Sequence, residues 1–302
     1  MFGVIVTDYN TMNETFEYIQ RFLKVSKNVR FVIVDNSLNE NGKKKLISDN
    51  FAYSKIKIHK YNCYTFNLCG TKILMVENIS NNGYAGGNNL GVRVYNEVYG
   101  EPSYYIFSNN DIYFNDSFSL EHITYIFHEN TDIGIIGPKI LSESGDNQNP
   151  RKDMSFFSQM ILWDINIMLL RGKLNNILWN LDIDANDSKI TGWVSGSFMI
   201  VRSDIFNAVG GFDTETFLYA EEMIISQKFR DRGYDTYYYD GLTLTHKHRG
   251  SAPSKRQRLL NHESKRYFYK KYKKVNEFLL KISDLNFQLV ELLYYIRHIN
   301  KN

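Results

Sequence analysis

The sequence predicts an α/β protein in which a mostly parallel central sheet is flanked by helices and followed by a helical C-terminal extension. Short apolar runs alternate with amphipathic segments through the first half of the chain, which is the pattern of repeated β-α-β units. The hydrophobic content of 43% and the charged content of 23% are typical of a globular protein. From Ser254 onward the spacing of apolar residues is helical almost to the last residue.

Strands and helices follow one another in a regular order in the first half. The predicted strands are residues 2–7, 29–34, 72–76, 104–107 and 133–137. The predicted helices are residues 13–25, 41–51, 88–99 and 117–129, with a glycine loop at 83–87 before the third of them. Residues 53–71 fit this alternation poorly and are interpreted as an inserted hairpin or loop. Because ligands collect beyond the carboxyl ends of strands in such a sheet, the turns at those ends mark the candidate site.

The second half is less regular. Residues 142–153 are polar and contain glycine and proline, so they are interpreted as a mobile loop. The remaining predicted segments are an amphipathic stretch at 156–181, a strand at 192–201, helices at 203–209 and 221–232, and strands at 235–239 and 243–246.

A polar turn that carries an acid follows the apolar run 104–107. It consists of Asn109, Asn110 and Asp111, and carboxylate and amide oxygens are both ligands for Mg²⁺ and Mn²⁺. A carboxylate at the end of a buried strand suits a divalent cation that carries a diphosphate. Asn and Asp are also frequent in ordinary turns, so this motif by itself has a purely structural alternative.

Two adjacent acids, Glu221 and Glu222, open the predicted helix 221–232. Neighbouring residues of a helix point about 100° apart, so the two carboxylates are not expected to share one role. One of them suits a general base, while the other orients it or stabilises the helix start, where negative charge is favourable. In the alternative interpretation, both acids only stabilise the helix terminus.

Three further features belong to the candidate site. The glycine-rich segment 81–91 precedes a predicted helix, and glycines there let the backbone approach a diphosphate or a sugar. It has neither the dinucleotide-binding nor the phosphate-loop spacing, and a tight turn is the alternative. Asp35 ends a buried strand, and its carboxylate suits a contact with the base or the ribose of a nucleotide. An ordinary turn is the alternative. His246 ends another strand, and its imidazole is able to complete a metal site. A solvated basic loop is the alternative.

Positive charge is concentrated near the C-terminus. The formal net charge is +3, but residues 247–274 contain eleven Lys or Arg and one acid, so the preceding part of the chain is acidic. A basic tail on an acidic body predicts an anionic partner for the tail. A solvated helix face is the alternative.

The cysteines and the apolar runs indicate the cellular compartment of the protein. Cys63 and Cys69 fit no common zinc or redox spacing, so reduced thiols in a cytoplasmic protein are expected. Residues 1–7 have no basic leader and are interpreted as a strand rather than a signal peptide. We expect no membrane span, because no apolar run approaches the ~20 residues that one requires.

The motifs are more informative in series than alone. The series is Tyr9-Asn10, Asp35-Asn36-Ser37, the glycine segment 82–91, Asn109-Asn110-Asp111, Gly196-Ser197-Phe198, Gly210-Gly211-Phe212-Asp213, Glu221-Glu222 and His246. It resembles the family 2 glycosyltransferases, and most closely the rhamnosyltransferase-like branch that builds bacterial surface polysaccharides. The resemblance implies the GT-A fold over residues 1–250, with a separate basic and aromatic helical extension over 251–302.

The resemblance also implies roles for individual residues. Asp111 holds the metal-bound diphosphate, with Asn109 and His246 as further metal ligands, and the cofactor is Mn²⁺ or Mg²⁺. Glu222 is the general base, and Glu221 is the other candidate. The residues implied to bind the nucleotide and the donor sugar are Thr7, Tyr9, Asp35, Asn82, Gly83, Gly87, Asn88, Asn110 and Asp111.

The implied reaction is an inverting transfer of a sugar from UDP or dTDP to a hydroxyl of a glycan or lipid-linked acceptor. One carboxylate suffices for this, since the acceptor hydroxyl must lose a proton as it attacks the anomeric carbon. The cation stabilises the charge of the departing diphosphate. The sequence departs from the family pattern at two positions, where Asn109 replaces the first acid of the DxD-like motif and Glu222 replaces the usual Asp.

Two other classes of protein compete with this interpretation. A nucleotidyltransferase is expected to carry glycine and arginine after the first strand, where this chain has residues 7–11 without either. A non-catalytic anion-binding protein would use the basic, aromatic residues 265–274. No nucleic-acid partner is expected for a glycosyltransferase. The extension is predicted to form helices over 254–298 that lie on the inner face of the cell membrane, with a contact in a homo-oligomer or packing on the body as alternatives.

Overall fold

The computed structural model describes residues 1–115, 118–170, 173–174, 187–247 and 253–299. These residues build one mixed sheet of eleven strands. The strands are β1 Phe2–Asp8, β2 Val29–Asp35, β3 Tyr53–Ile58, β4 Tyr61–Leu68, β5 Thr71–Glu77, β6 Tyr104–Ser108, β7 Ile112–Phe114, β8 Ile133–Ser142, β9 Lys189–Thr191, β10 Phe198–Arg202 and β11 Asp235–His246. The helices are α1 Met12–Val25, α2 Asn41–Ser48, α3 Gly83–Tyr99, α4 Leu120–Glu129, α5 Trp163–Met168, α6 Ser203–Ala208, α7 Glu221–Arg230, α8 Lys255–Lys271 and α9 Glu277–Ile299, with a π-helical turn Ser158–Leu162 before α5.

The sheet has the order β3-β4-β5-β2-β1-β6-β10-β8-β11-β7, and β9 pairs with β11. Strands β5, β2, β1 and β6 are parallel, β10 is antiparallel to its neighbours, and β11 is parallel to β8. Asp8, Asp35 and Glu77 lie side by side in register where β1, β2 and β5 end. The predicted fold class, a mostly parallel sheet flanked by helices, is therefore confirmed.

Helices cover both faces of the sheet. Successive residues of a strand point to opposite faces, so Val4 and Val6 of β1 belong to the apolar core with Phe22 of α1, whereas Ile5 belongs to the core with Leu90 of α3. Both cores are closed, because all five side chains are at most 3% exposed. This double cover explains why the central strands are almost continuous apolar runs in the sequence.

Helix α3 begins at Gly83 rather than at residue 88, so the predicted glycine loop 83–87 lies inside the helix. Its glycines serve close packing. A Cβ on Gly87 would lie 2.8 Å from Cγ2 of Thr7, and a Cβ on Gly91 would lie 2.4 Å from Cγ2 of Ile5. Any side chain at these positions would push α3 off the sheet. The helix therefore needs glycines here, and because glycines are also typical of loops, the sequence pattern predicted a loop.

Three other segments differ from the prediction. Strand β10 begins at Phe198, and residues 192–197 before it are not strand, since they turn to contact Arg151 and Glu222. The two strands predicted at 235–239 and 243–246 are the single strand β11 with an irregularity between Tyr239 and Thr243. The segment 53–71 is a hairpin, formed by β3 and β4. Of the two predicted alternatives, a hairpin or a loop, the hairpin is therefore found. Much of the stretch 156–181 lies outside the described residues.

Helices α8 and α9 form a hairpin that packs on the body. Phe268 and Tyr269 of α8 and Leu280 of α9 share an apolar core with Met160 and with Ile224 of α7. Ion pairs join the two helices. They are Arg258 with Glu291, His262 with Asp284, Arg266 with Asp284 and Glu277, and Lys270 with Glu277. Three of the basic residues in the hairpin, Arg258, Arg266 and Lys270, are therefore paired within it. Among the described helices, none combines the length and the apolar character that crossing a bilayer requires.

Candidate active site

The turn after β6 and the end of β11 meet, although they are far apart in the sequence. Strand β7 begins directly after Asp111 and pairs antiparallel with β11, which sets Ile112 opposite His246. As a result Oδ1 of Asp111 lies 3.1 Å from Nε2 of His246. The backbone N–H of Lys247 also donates to the carbonyl of Asp111 at 3.0 Å. Two of the three predicted metal ligands are thus adjacent.

The donor set at this point fits a divalent cation. Oε1 of Gln148 lies 2.9 Å from Nδ1 of His246; because an amide oxygen only accepts, Nδ1 donates this bond and Nε2 is the ring nitrogen that faces Asp111. A carboxylate oxygen and an imidazole nitrogen at this distance hold either a proton or a shared cation between them. Ligands held about 2.1 Å from a metal at right angles stand about 3 Å apart, which matches the observed separation.

The metal would have few protein ligands. In the part of the chain that the structure describes, no group of three or more His, Cys, Asp or Glu side chains is placed to hold an ion. The third predicted ligand, Asn109, is tied by its backbone N–H to the carbonyl of Ser197 at 2.9 Å. The remaining positions around an ion at Asp111 and His246 would therefore be left to diphosphate oxygens and water.

Asn110 points away from Asp111, toward α1. Its Nδ2 donates to the hydroxyls of Thr11 and Thr15, each at 2.8 Å, and its carbonyl accepts from Arg21 at 3.0 Å. Its side chain is engaged with Thr11 and Thr15, and its predicted contact with the donor remains a prediction. These bonds fix the turn and thereby set the position of Asp111.

Asp8 is a buried carboxylate that the sequence analysis missed. It is fully buried at the end of β1, and its oxygens accept from the hydroxyls of Thr11 and Thr15 at 2.9 and 2.7 Å. Burial raises the pKa of Asp8, and these hydrogen bonds oppose that rise. The signal was available, because Asp8 ends an apolar strand just as Asp35 does.

Asp35 lies beside Asp8 on the next strand and has a structural role here. Its Oδ1 accepts from the N–H of Ser37 at 3.0 Å, and its Oδ2 accepts from the N–H of Gly42 at 2.7 Å. The carboxylate thereby holds the start of α2, and it is only 2% exposed. Its predicted contact with a nucleoside remains a prediction.

The predicted donor-binding residues at the start of α3 lie together. The Thr7 hydroxyl donates to Oδ1 of Asn88 at 3.3 Å. The carbonyl of Gly83 accepts from Nδ2 of Asn36 at 3.4 Å, and Asn78 in turn donates to Oδ1 of Asn36 at 2.7 Å. The sequence analysis gave no role to Asn78, although it follows an apolar strand.

Three other predicted donor-binding positions border this network. Asn82 is the residue before α3. Gly87 packs on Thr7, as described above. Tyr9 follows β1 and is 59% exposed, so its ring is open to a ligand. For all of these residues, donor binding remains a prediction.

The second half of the site is built around Glu222. Its Oε1 accepts from the backbone N–H of Gly196 at 3.0 Å, and the carbonyl of Gly196 accepts from the Tyr84 hydroxyl at 2.8 Å. A Cβ on Gly196 would lie 2.7 Å from Oε1 of Glu222, so only glycine allows this contact. Ser197, the next residue, accepts from the Asn109 N–H. A segment of two residues therefore links Glu222 to the turn of Asp111.

Glu221 and Glu222 lie in different environments. Glu221 is 3% exposed; burial and then the neighbouring Glu222 raise its pKa to about 8. Burial also raises the pKa of Glu222, but the hydrogen bond from Gly196 and the charge of Arg151 oppose this rise. Because the two carboxyl groups interact, they titrate as a pair, and the contacts with Gly196 and Arg151 favour ionisation of Glu222 over ionisation of Glu221.

The backbone in front of α7 is strained. Tyr219 and Ala220 both have left-handed conformations, with φ of 76° and 65°, which cost non-glycine residues of order 1–3 kcal/mol each. Such strain is retained where a structure needs a particular side-chain direction. Here it fixes the direction in which α7 presents Glu221 and Glu222.

Arg151 is a cation near Glu222 that the sequence analysis did not identify. Its backbone pairs with Trp193, and its guanidinium lies 5.4 Å from the centre of the Trp193 ring. Burial lowers the pKa of Arg151 to about 10, and the charge of Glu222 opposes this. It is thus a buried cation at neutral pH that favours the ionised form of Glu222. Its sequence context contains no readable motif.

The chain has relatives among curated proteins, although no protein-family model matches it. It is 24% identical over 223 residues to the low-salt glycan biosynthesis hexosyltransferase Agl10 of Haloferax volcanii, over 73% of this chain and 59% of that protein. It is 30% identical over 79 residues to an N-acetylglucosaminyl-diphospho-decaprenol L-rhamnosyltransferase of Mycobacterium tuberculosis, over 26% of each chain. The chain thus spans less than two thirds of the length of these relatives.

A solved structure supports the same fold. The structure of GalNAc-T7 with UDP, GalNAc and Mn²⁺ matches with a TM-score of 0.58 and 13% identity, over 96% of this chain and 55% of that one. At this identity the match establishes the fold alone. The chain has the GT-A fold and its sequence relatives are glycosyltransferases, so the resemblance to family 2 glycosyltransferases that its motifs predict is confirmed.

Proposed function

We propose that this protein is a metal-dependent inverting glycosyltransferase that moves a sugar from a UDP- or dTDP-sugar to a hydroxyl of a glycan or lipid-linked acceptor. The observation that carries the proposal is the segment Gly196-Ser197. On one side it binds Glu222, and on the other it binds the turn that holds Asp111 beside His246. A base and a metal–diphosphate site on one rigid segment are what a single displacement at an anomeric carbon needs.

The acceptor side uses Glu222. Its carboxylate takes the proton of the acceptor hydroxyl as the oxygen attacks the anomeric carbon. The N–H of Gly196 holds the carboxylate in place, and the charge of Arg151 keeps it ionised before the reaction. Glu221 keeps its own proton, because burial has raised its pKa, and so the two acids do not repel one another.

The donor side uses Asp111 and His246. A divalent cation bound there supplies positive charge to the diphosphate as the bond to the sugar breaks. Asn110 and its contacts with α1 hold the turn, so Asp111 does not have to reorganise when the ligand arrives. The Mn²⁺ in the structure of GalNAc-T7 supports the choice of Mn²⁺ or Mg²⁺.

A thermal-shift screen of UDP-, dTDP- and GDP-sugars with Mn²⁺ tests the proposal. We expect a UDP- or dTDP-sugar to raise the melting temperature, because a ligand that binds only the folded state stabilises it. Inorganic phosphate with Mn²⁺ is the control for non-specific ions. If no nucleotide sugar raises the melting temperature beyond the phosphate control, the proposed function is contradicted.

We also propose that the α8–α9 hairpin attaches the protein to an anionic membrane surface. One side of α9 carries apolar residues at positions spaced by four and three, and all of them are exposed: Phe278, Ile282, Leu285, Leu289, Leu292 and Ile296. The opposite side of α9 is buried through Leu280, Phe287 and Val290, so the helix is apolar on two sides.

Charge favours lipid as the occupant of the exposed side. Residues 253–299 contain eleven Lys or Arg and four acids. Three of those acids, Glu277, Asp284 and Glu291, are paired with α8. The surplus is positive, and each basic residue near an anionic surface is worth on the order of 1 kcal/mol. An apolar face with surplus positive charge is the pattern of an interfacial helix.

The double variant Leu285→Asp/Leu289→Asp tests this attachment in the full-length protein. Both side chains are more than half exposed, so the fold should survive, while the apolar contact with lipid is lost. We expect the unmodified protein to sediment with anionic vesicles at low salt and the variant to stay in solution. Equal sedimentation of both proteins would contradict membrane attachment by α9. Membrane attachment would also be contradicted if vesicles bind neither protein and the unmodified protein is a dimer that the double substitution dissociates.

A further inference from the structure

A cavity lies between the C-terminal hairpin and the body, at the segment that precedes α7. It has a volume of about 250 Å³ and is lined by Trp163 and Asp164 of α5, by Lys265 of α8 and by Tyr219. Tyr219 is one of the two strained residues in front of α7, two positions before Glu221. The cavity therefore reaches the segment of the chain that leads into Glu221 and Glu222.

Lys265 is the residue that defines the chemistry of this cavity. Its ammonium stands 5.7 Å from the centre of the Trp163 ring. In the residues that the structure describes, the Lys265 ammonium has no hydrogen-bond acceptor, whereas the neighbouring cations Arg258 and Arg266 are both held by carboxylates of α9. Because an ammonium that is partly shielded from water still needs acceptors, the cavity beside Lys265 offers a position for an anionic ligand.

The electrostatics of Lys265 agree with this geometry. Burial lowers the pKa of Lys265 to about 8, and the nearby carboxylate of Asp164 opposes the shift only in part. Arg151 lowers the same pKa further, and it also acts on Glu222. The lysine remains mostly protonated at neutral pH. Arg151 and Lys265 are thus close enough to repel one another, and an anion bound beside Lys265 would relieve that repulsion.

We propose that this cavity binds a phosphate group of the acceptor, and that Lys265 is a principal ligand of that phosphate. The inference rests on the proposed function, since it presumes an acceptor whose hydroxyl reaches Glu222. The mycobacterial relative, by its name, acts on a diphospho-decaprenol-linked sugar, and the phosphate of such an acceptor lies close to its sugar.

The surroundings provide a place for the rest of such an acceptor. Arg258, His262 and Phe287 line both the cavity and a larger groove of about 740 Å³ between α8 and α9. The groove also contains Leu259 and Leu292, and Leu292 belongs to the exposed apolar side of α9 described above. An apolar chain attached to the phosphate would therefore continue from the cavity along the groove toward the membrane.

Binding of geranyl diphosphate, a short prenyl diphosphate, tests the inference when measured by calorimetry in EDTA, so that no metal is present at Asp111. The test variant is Lys265→Met, which keeps the length of the side chain and removes the charge. Lys270→Met is the control, because Lys270 lies on the same helix, is about half exposed and pairs only at the surface. We expect the unmodified protein and the control to bind, and Lys265→Met to bind at least about tenfold more weakly, since hydrogen bonds to charged groups are worth about 1.5–3 kcal/mol.

The outcomes separate this inference from the proposed function. Lys265→Met should melt close to the unmodified protein, because it removes a partly desolvated cation that has no hydrogen-bond acceptor among the described residues. Equal affinity of the unmodified protein and Lys265→Met, or absence of binding to both, would overturn the inference. Neither result would affect nucleotide binding at Asp111. A failure of nucleotide sugars to bind in the thermal-shift screen would instead reject the proposed function, whatever the result with geranyl diphosphate.

Discussion

Glu222→Gln is expected to bind the nucleotide sugar normally and to lose transfer by at least roughly 10²-fold, the usual scale for removal of a general base. The amide keeps an oxygen that can accept from the N–H of Gly196, so the position of the side chain should be retained. It has no basic oxygen for the acceptor proton. Steady-state transfer rates together with donor affinity measure the two effects separately.

Glu221→Gln is the matched control for that experiment. Glu221 is buried and carries a raised pKa, so a neutral amide resembles the protonated acid that we expect at neutral pH. The chemical step should therefore change much less than in Glu222→Gln. If Glu221→Gln is inactive while Glu222→Gln transfers at the normal rate, the two roles are reversed.

Asp111→Ala is expected to lower transfer by at least roughly 10²-fold, because the charge that a metal supplies to the departing diphosphate is worth several kcal/mol. Asp111 is one of two side chains placed at the proposed metal position, and its partner His246 is 3.1 Å away. Removal of the carboxylate leaves the imidazole alone. The transfer rate should be measured as a function of Mn²⁺ concentration.

His246→Ala should show the same metal-dependent defect, because it removes the other ligand. Asp204→Ala is the control, since Asp204 is an exposed acid in the first turn of α6 and has no part in the site. If Asp111→Ala retains full activity at every Mn²⁺ concentration, Asp111 does not hold a metal. A defect of the same size in Asp204→Ala would mean that the loss is not specific to the site.

Local patterns predicted the sheet and the site motifs well where one physical demand dominates. An apolar strand followed by an acid is such a pattern, and it identified Asp35 and Asp111. The pairing of β7 with β11 brings His246 to Asp111. The resemblance to glycosyltransferases came from the order of the motifs, since each motif alone has a structural alternative.

The sequence was misleading where tertiary packing decides. The glycines of α3 look like a loop, but they are required because Thr7 and Ile5 approach the helix closely. Asn110 looks like part of a ligand-binding turn, yet its amide is engaged by Thr11 and Thr15. No local pattern specifies such partners, which come from other elements.

The residues that sequence analysis missed depend on contacts across the fold. Arg151 is close to Glu222 only because its backbone pairs with Trp193, and Lys265 meets Trp163 only because α8 packs beside α5. Neither cation stands in a motif. Asp8 is different, because it had the same signal as Asp35 and the sequence was sufficient to find it.

Calorimetric titration of UDP and dTDP into the full-length protein, with Mn²⁺ and with EDTA, tests the central claim most directly. The account predicts that at least one of the two nucleotides binds more tightly with Mn²⁺ and that Asp111→Ala abolishes this gain, because the Asp111 carboxylate would help to hold a cation that attracts the diphosphate. Equal affinities with Mn²⁺ and with EDTA in the unmodified protein would contradict a metal–diphosphate site at Asp111 and His246.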